Sequence, residues 1–339
     1  MNKSKKTPLA IMLTSVFTVY SGAVLADHGS LGFGIGTASP IITQGGITLP
    51  VGMWAGGITT QFINFDSVSD EQLLSVKNNA VDEAHGDVHS TNTFLQPSVF
   101  AAYGVTDDLT LGLRIPYVLR SGVHSPNEDG DAVDYLGAPS GFGDVSVFGQ
   151  YRFYHSADNL NNASLTIGLK TPTGATGVQT NQGTTFETHQ QPGSGSWNPS
   201  LGLSYTRAMG SFSFDTNLLY TFATTGAQQT NLGDVFDYNV ALSYAFGAPV
   251  RNGLFSSSNN APWTAILELN GEWQDYQKTV GLTDPNSGGS TVYISPGIRF
   301  SGGKGWNTAL SIGAPVVTDL NGFQTEPDYR ITYRFVAVF

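Results

Sequence analysis

The chain has 339 residues, 15 of them basic and 26 acidic, and a formal charge of −11. It has no cysteine, which excludes a disulfide scaffold, thiol catalysis and thiolate metal sites. An acidic chain is a poor partner for nucleic acid, and a charged fraction of 12% with 41 glycines and 12% aromatics fits neither a disordered chain nor an ordinary soluble domain.

Residues 1–26 read as a secretory signal peptide. Met1-Asn-Lys-Ser-Lys-Lys6 is a basic start, Leu9 to Leu25 is apolar, and Val24 and Ala26 suit cleavage before Asp27. No cysteine follows the cleavage point, so a lipoprotein is not expected. Residues 27–51 come next. A segment of this length either hangs in the periplasm or tucks partly into a lumen.

From residue 52 to 339 the pattern has a period of two. The twelve predicted strands are 52–65, 93–105, 109–120, 143–155, 163–173, 198–209, 211–225, 234–247, 263–278, 290–302, 306–319 and 328–339. In the third, Leu109, Leu111, Leu113, Ile115, Tyr117 and Leu119 alternate with Thr110, Gly112, Arg114, Pro116, Val118 and Arg120. Successive side chains of a strand point to opposite faces, so each segment has one greasy and one polar face. Most segments reach or exceed the ~9–11 residues that cross a bilayer at a tilt, and after residue 26 no run of about 18 apolar residues offers a helical span. Trp263 and Trp273, and Phe236 and Phe246, stand at both ends of an apolar face, as aromatic girdles do. A soluble sandwich or propeller shares the period but requires neither this length nor those aromatics.

The predicted fold is therefore all-β: a single antiparallel transmembrane β-barrel of about twelve strands, with both termini periplasmic. Even parity then puts the long connections 66–92, 122–142, 174–197, 226–233, 279–289 and 320–327 outside the cell. The connections 106–108, 156–162, around 210, 248–262 and 302–305 fall on the periplasmic side. The last strand closes the barrel, and its end, Phe339, is expected to be the assembly signal read by the barrel-assembly machinery. Outer-membrane lipid and lipopolysaccharide are the expected surroundings.

Several stretches carry a family resemblance. They are Gly36-Thr-Ala-Ser-Pro-Ile-Ile-Thr43, Ile47-Thr-Leu-Pro-Val-Gly-Met-Trp54, Asp87-Val-His-Ser90, Tyr103–Tyr117, Gly141–Phe153, Leu169-Lys-Thr-Pro-Thr-Gly174 and Gln191-Pro-Gly-Ser-Gly-Ser-Trp197. Together they resemble the outer-membrane transporter family named for the meta-pathway of phenol degradation. The resemblance implies a barrel that passes small, often aromatic or hydrophobic compounds. It brings no established catalytic or binding residues.

On this register the lumen face carries Arg114, Arg152, Lys170, Arg299, Arg330 and Arg334 with Asp144, Asp215, Asp237, Glu268 and Glu272. These charges either pair in ladders that fill the interior or line a narrow path and set its selectivity. Phe148 and Tyr154 are the candidates for an apolar patch in the lumen. In the first long loop His85 and His89, among Asp82, Glu83 and Asp87, offer imidazole and carboxylate to a divalent metal, or form a solvated polar loop. Glu128-Asp-Gly-Asp131 with Asp134 reads as a solvated acidic loop, since it lacks the full spacing of a calcium loop. No spaced Ser/His/acid set emerges around His124, His155 or His189, so catalysis is not expected. No cofactor is implied. The expected role is an outer-membrane channel for passive or facilitated passage of small solutes. The alternative is a closed barrel acting through its outer loops in adhesion or envelope structure.

Overall fold

The computed structural model describes residues 40–246, 263–302 and 305–339. The signal peptide, residues 27–39 and the whole 248–262 connection lie outside the described residues. Twelve long antiparallel strands form one sheet: β1 (Trp54–Phe65), β2 (Thr93–Thr106), β3 (Leu109–Ser121), β4 (Ser146–His155), β5 (Asn161–Lys170), β6 (Asn198–Met209), β7 (Phe212–Thr221), β8 (Val235–Ala245), β9 (Trp263–Gln274), β10 (Gly289–Gly302), β11 (Trp306–Leu320) and β12 (Pro327–Val338). Each pairs with the next, and β1 pairs with β12 from Ala55 opposite Val338 to Ile63 opposite Arg330. The sheet is thus a closed barrel with its backbone groups satisfied between strands, the condition for a β-structure in hydrocarbon.

Alternation decides which way each strand faces. Ile58, Val99, Leu111, Ile167, Leu203, Leu242, Leu269 and Leu310 are exposed on the outer wall. Gln61, Ser98, Gln150, Ser164, Thr206, Asn239 and Thr332 are buried on the inner wall. Ring pairs circle the outside at two levels. Toward the end with short turns, Trp54–Tyr103 and Trp263–Phe300 have centroids 4.8 Å apart and Trp306–Phe335 6.0 Å. Toward the end with long loops, Phe62–Tyr329 are 6.1 Å apart, Tyr117–Phe142 5.2 Å and Tyr220–Phe236 6.2 Å. Between these girdles the wall is mostly aliphatic, which matches an apolar band about 25 Å tall.

Three departures from simple alternation matter. A bulge between Arg152 and Tyr154 in β4 reverses the parity beyond it, so Tyr154 is exposed outside rather than in the lumen. Residues 143–145 lie outside β4, and a short strand 140–142 instead extends the sheet along β3. The first long loop contains helix α1 (Asp70–Asn79) and one turn, α2 (Glu83–Gly86). Ser69 and Gln72 form a reciprocal capping box at the start of α1, a sequence signal masked by the helix's shortness.

An arginine replacing Leu203, midway along the outer face of β6, is expected to destabilise the barrel by about 2–4 kcal/mol. Urea-dependent folding into lipid vesicles measures this; the conservative Leu203→Val should cost under about 1.5 kcal/mol.

Candidate functional site

The barrel interior is occupied by the chain itself. Residues 40–51 run round the inner wall, and their backbone is met almost atom by atom by inward-facing side chains. The N–H groups of Ile41, Ile42 and Thr43 donate to the Glu268 carboxylate at 2.9–3.2 Å. Gln44 N donates to Asn217 Oδ1 at 2.8 Å, and its side-chain amide donates to Thr166 Oγ1 at 3.0 Å. Gln150 donates to the Gly45 carbonyl at 2.8 Å and Ser164 to that of Gly46 at 2.6 Å. Arg334 reaches the carbonyls of Pro40 and Ile41 at 3.3–3.4 Å, and Leu49 N donates to Thr110 Oγ1 at 2.8 Å. Buried backbone groups without partners are costly, so this match fixes the segment's path. Gly46 fits because a Cβ there would lie 2.5 Å from the Asn162 carbonyl oxygen.

The charged residues form two layers. In the layer holding the inner segment, Glu268 is fully buried and Arg299 interacts electrostatically with both Glu268 and Asp215. Thr206 donates its hydroxyl to Asp215, which leaves its lone pairs to accept Gly46 N–H at 2.9 Å. Arg330 donates to Asn270 Oδ1 at 2.9 Å and lies 3.9 Å over the Tyr293 ring, with Glu268 and Glu272 among its electrostatic partners. The second layer faces the long loops. Asp144 accepts from Gly174 N at 2.9 Å and from Ser194 N and Oγ at 2.8 and 2.6 Å, with Lys170 Nζ 3.8 Å away. Arg114 interacts with Asp237.

Above the inner segment these groups border a cavity of about 160 Å³. Arg114, Arg120, Lys170, Asp144 and Asp237 give its charged lining, and Phe94, Val118, Leu219, Leu232 and Pro192 its apolar lining. The loop 171–197 dips inward to cover it: Phe186, Thr188–Gln191, Ser194 and Ser196 are buried.

Several expectations change at this level. Arg152 sits at the short-turn end, holding Asp108 at 2.8 Å, because β3 and β4 meet there beside the 107–108 turn. Phe148 faces inward but packs in one cluster with Leu49 and Phe100, so the inner segment covers it and the cavity draws its apolar lining elsewhere. The pair His85 and His89 does not form. Asp82 caps α2 and binds both the backbone N–H and, at 2.7 Å, the Nδ1 of exposed His85, whereas His89 faces His189. The acidic tip 128–134 is ordered as a turn by Asn127, whose Nδ2 donates to the Asp131 carboxylate at 2.7 Å and whose Oδ1 accepts from Asp131 N–H at 3.1 Å. His155 is exposed at the end of β4, and His124 packs on Tyr135 at 5.2 Å. Sequence reasoning passed over Arg120. It shares the parity of Arg114, donates to the His189 carbonyl at 3.0 Å, and lies 4.9 Å over Phe94.

Burial, then the neighbouring His89 and Arg120, hold His189 well below the usual histidine value, while burial pushes Asp284 up. The covered state therefore carries a neutral His189, whereas an opened loop takes up a proton below about pH 6.5. The cover should weaken as pH falls through that value and be fully in place above it. Hydrogen exchange at residues 189–194 should accelerate between about pH 7.5 and 5 relative to β-strand amides, and His189→Asn should flatten that dependence.

A family model for the MetA-pathway of phenol degradation matches residues 64–324. A search of curated protein sequences returns no match. Among solved structures, the COG4313 outer membrane channel from Pseudomonas putida F1 superimposes with a TM-score of 0.59 at 16% identity, over 87% of this chain and 98% of that one. The β domain of the Bordetella autotransporter BrkA gives 0.45 at 9% identity, covering 85% and 98%. The Ralstonia pickettii toluene transporter TbuX gives 0.41 at 10% identity, covering 85% and 89%. The first of these shares the overall fold, and the family model spans most of the chain. The chain belongs to the family of the MetA-pathway of phenol degradation, as a closed twelve-stranded barrel of the outer-membrane type.

Proposed function

We propose that the protein is an outer-membrane channel for passive or facilitated passage of small solutes, including hydrophobic or aromatic compounds. The observation that carries this reading is the cavity of about 160 Å³ inside the barrel, with aliphatic and aromatic walls and a charged rim. A space of about 150 Å³ is enough for one benzene-sized molecule. A solute enters between the long loops, rests in the cavity and leaves past residues 40–51, which must shift to let it through. Arg114, Lys170, Asp144 and Asp237 bias the choice of solute at the cavity, and Arg299, Arg334, Asp215 and Glu268 do so beside the inner segment. The role is transport, with no catalytic step. Residues 1–26 act as the cleaved export signal, both chain ends face the periplasm, and Phe339 is presented to the barrel-assembly machinery. Lipid and lipopolysaccharide surround the outer girdle.

One observation favours a second reading. Residues 40–51 and the inward loop 171–197 fill much of the lumen, as they would in a closed barrel that works through its outer loops. Flux into proteoliposomes separates the two. The channel reading expects phenol or toluene to equilibrate faster than through protein-free vesicles, and Leu219→Trp, which fills the cavity, to slow it toward the protein-free rate. Flux equal to that of empty vesicles leaves the closed barrel.

A further inference from the structure

Two imidazoles a hundred residues apart meet over the mouth of the barrel. His89 follows α2 in the first long loop, and His189 lies in the loop that covers the cavity. Their Nε2 atoms are 3.0 Å apart, and their rings stack with centroids 4.5 Å apart. Glu187 sets a carboxylate oxygen 3.3 Å from Nδ1 of His189. One donor atom from each of the three residues lies within 4.8 Å of the other two. A small cavity of about 30 Å³ opens beside the rings and is also lined by Asp284, Gln277 and Gln324. That is more than the ~10–15 Å³ a single water takes.

Two neutral imidazoles in this position can share one N–H···N hydrogen bond, which uses the lone pair of only one ring. A metal ion uses both lone pairs. Two nitrogens each ~2.0–2.1 Å from a tetrahedral zinc lie about 3.3 Å apart, close to the spacing here. Imidazole ligates in its neutral form. Glu187 is half-exposed, so its carboxylate can turn to the ion while staying hydrated. Its charge and that of Asp284 offset Arg120, which sits against the same loop. Two imidazoles with a carboxylate suit zinc, copper or nickel, whereas magnesium and calcium favour all-oxygen sites.

We propose that His89, His189 and Glu187 form a site for one divalent cation of the Zn²⁺ class, and that the bound ion staples the 66–92 loop to the 171–197 loop over the lumen. Arg120, bonded to the His189 carbonyl, ties the staple to the barrel wall at β3. The ion thereby holds the cavity covered; only this last consequence rests on the channel reading.

Calorimetric titration of the purified, folded full chain with ZnCl₂ at pH 7.5 tests the site. One ion per chain is expected. His89→Ala and His189→Ala should each weaken binding by at least about tenfold, in line with the loss of a metal ligand. His85→Ala should leave it unchanged, because that imidazole is engaged by Asp82, and excess MgCl₂ should not compete. The shift in gel mobility on heating checks that each variant is a folded barrel. Zinc binding no stronger than in a His89→Ala/His189→Ala double variant would overturn the proposal, as would an equal loss in His85→Ala. The readout is bound metal, so it is independent of flux: a barrel that binds zinc and passes no solute refutes the channel and leaves the site standing.

Discussion

Three consecutive backbone N–H groups, those of Ile41, Ile42 and Thr43, converge on one buried carboxylate, Glu268. The rest of the interior depends on that contact. A carboxylate without partners in a barrel interior costs several kcal/mol, and so do three orphaned amides; each removes the other's penalty. With this end fixed, Asn217, Gln150, Thr206, Ser164 and Thr110 receive the following residues in order. Arg334 offsets the charge of Glu268, and Arg299 that of Glu268 and Asp215. The inward-facing charges at this level thus hold a segment of the chain.

The wall explains why such a polar interior is tolerated. Closure of β1 on β12 removes the sheet edges, so lipid meets only side chains. The outward set is aliphatic between two aromatic girdles, leaving the inward set free to be polar. Above the inner segment, space remains. There Asp144 organises the incoming loop through Gly174 and Ser194, and Lys170, Arg114 and Asp237 complete the rim. The cavity is therefore a product of both closures, the inner segment on one side and the covering loop on the other.

The wall was readable in the sequence because period two is a local property. Leu109 to Arg120 declares its two faces without knowledge of any other strand, and the twelve segments need only be counted. Parity failed where the backbone departs from it: the bulge in β4 turns Tyr154 outward, a change no composition at that position announces. The site was less legible. That Glu268 faces inward follows from alternation, but its partners lie more than 220 residues away in a segment with no strand pattern. His85 and His89 looked like a pair because they are neighbours in sequence. The partner of His89 is His189, and loop packing rather than spacing brings them together. Arg120 carries the parity of Arg114, but its partner, the His189 carbonyl, belongs to a loop 69 residues away that alternation does not place.

Single-channel conductance in planar bilayers tests the central claim most directly, by comparing the intact chain with one lacking residues 40–49. If these residues close the lumen, the intact barrel conducts weakly or in brief openings, and the shortened barrel shows a steady conductance at least several-fold larger. Equal conductance from two chains that both fold as barrels would contradict the account, and would place the barrier to passage in the covering loops alone.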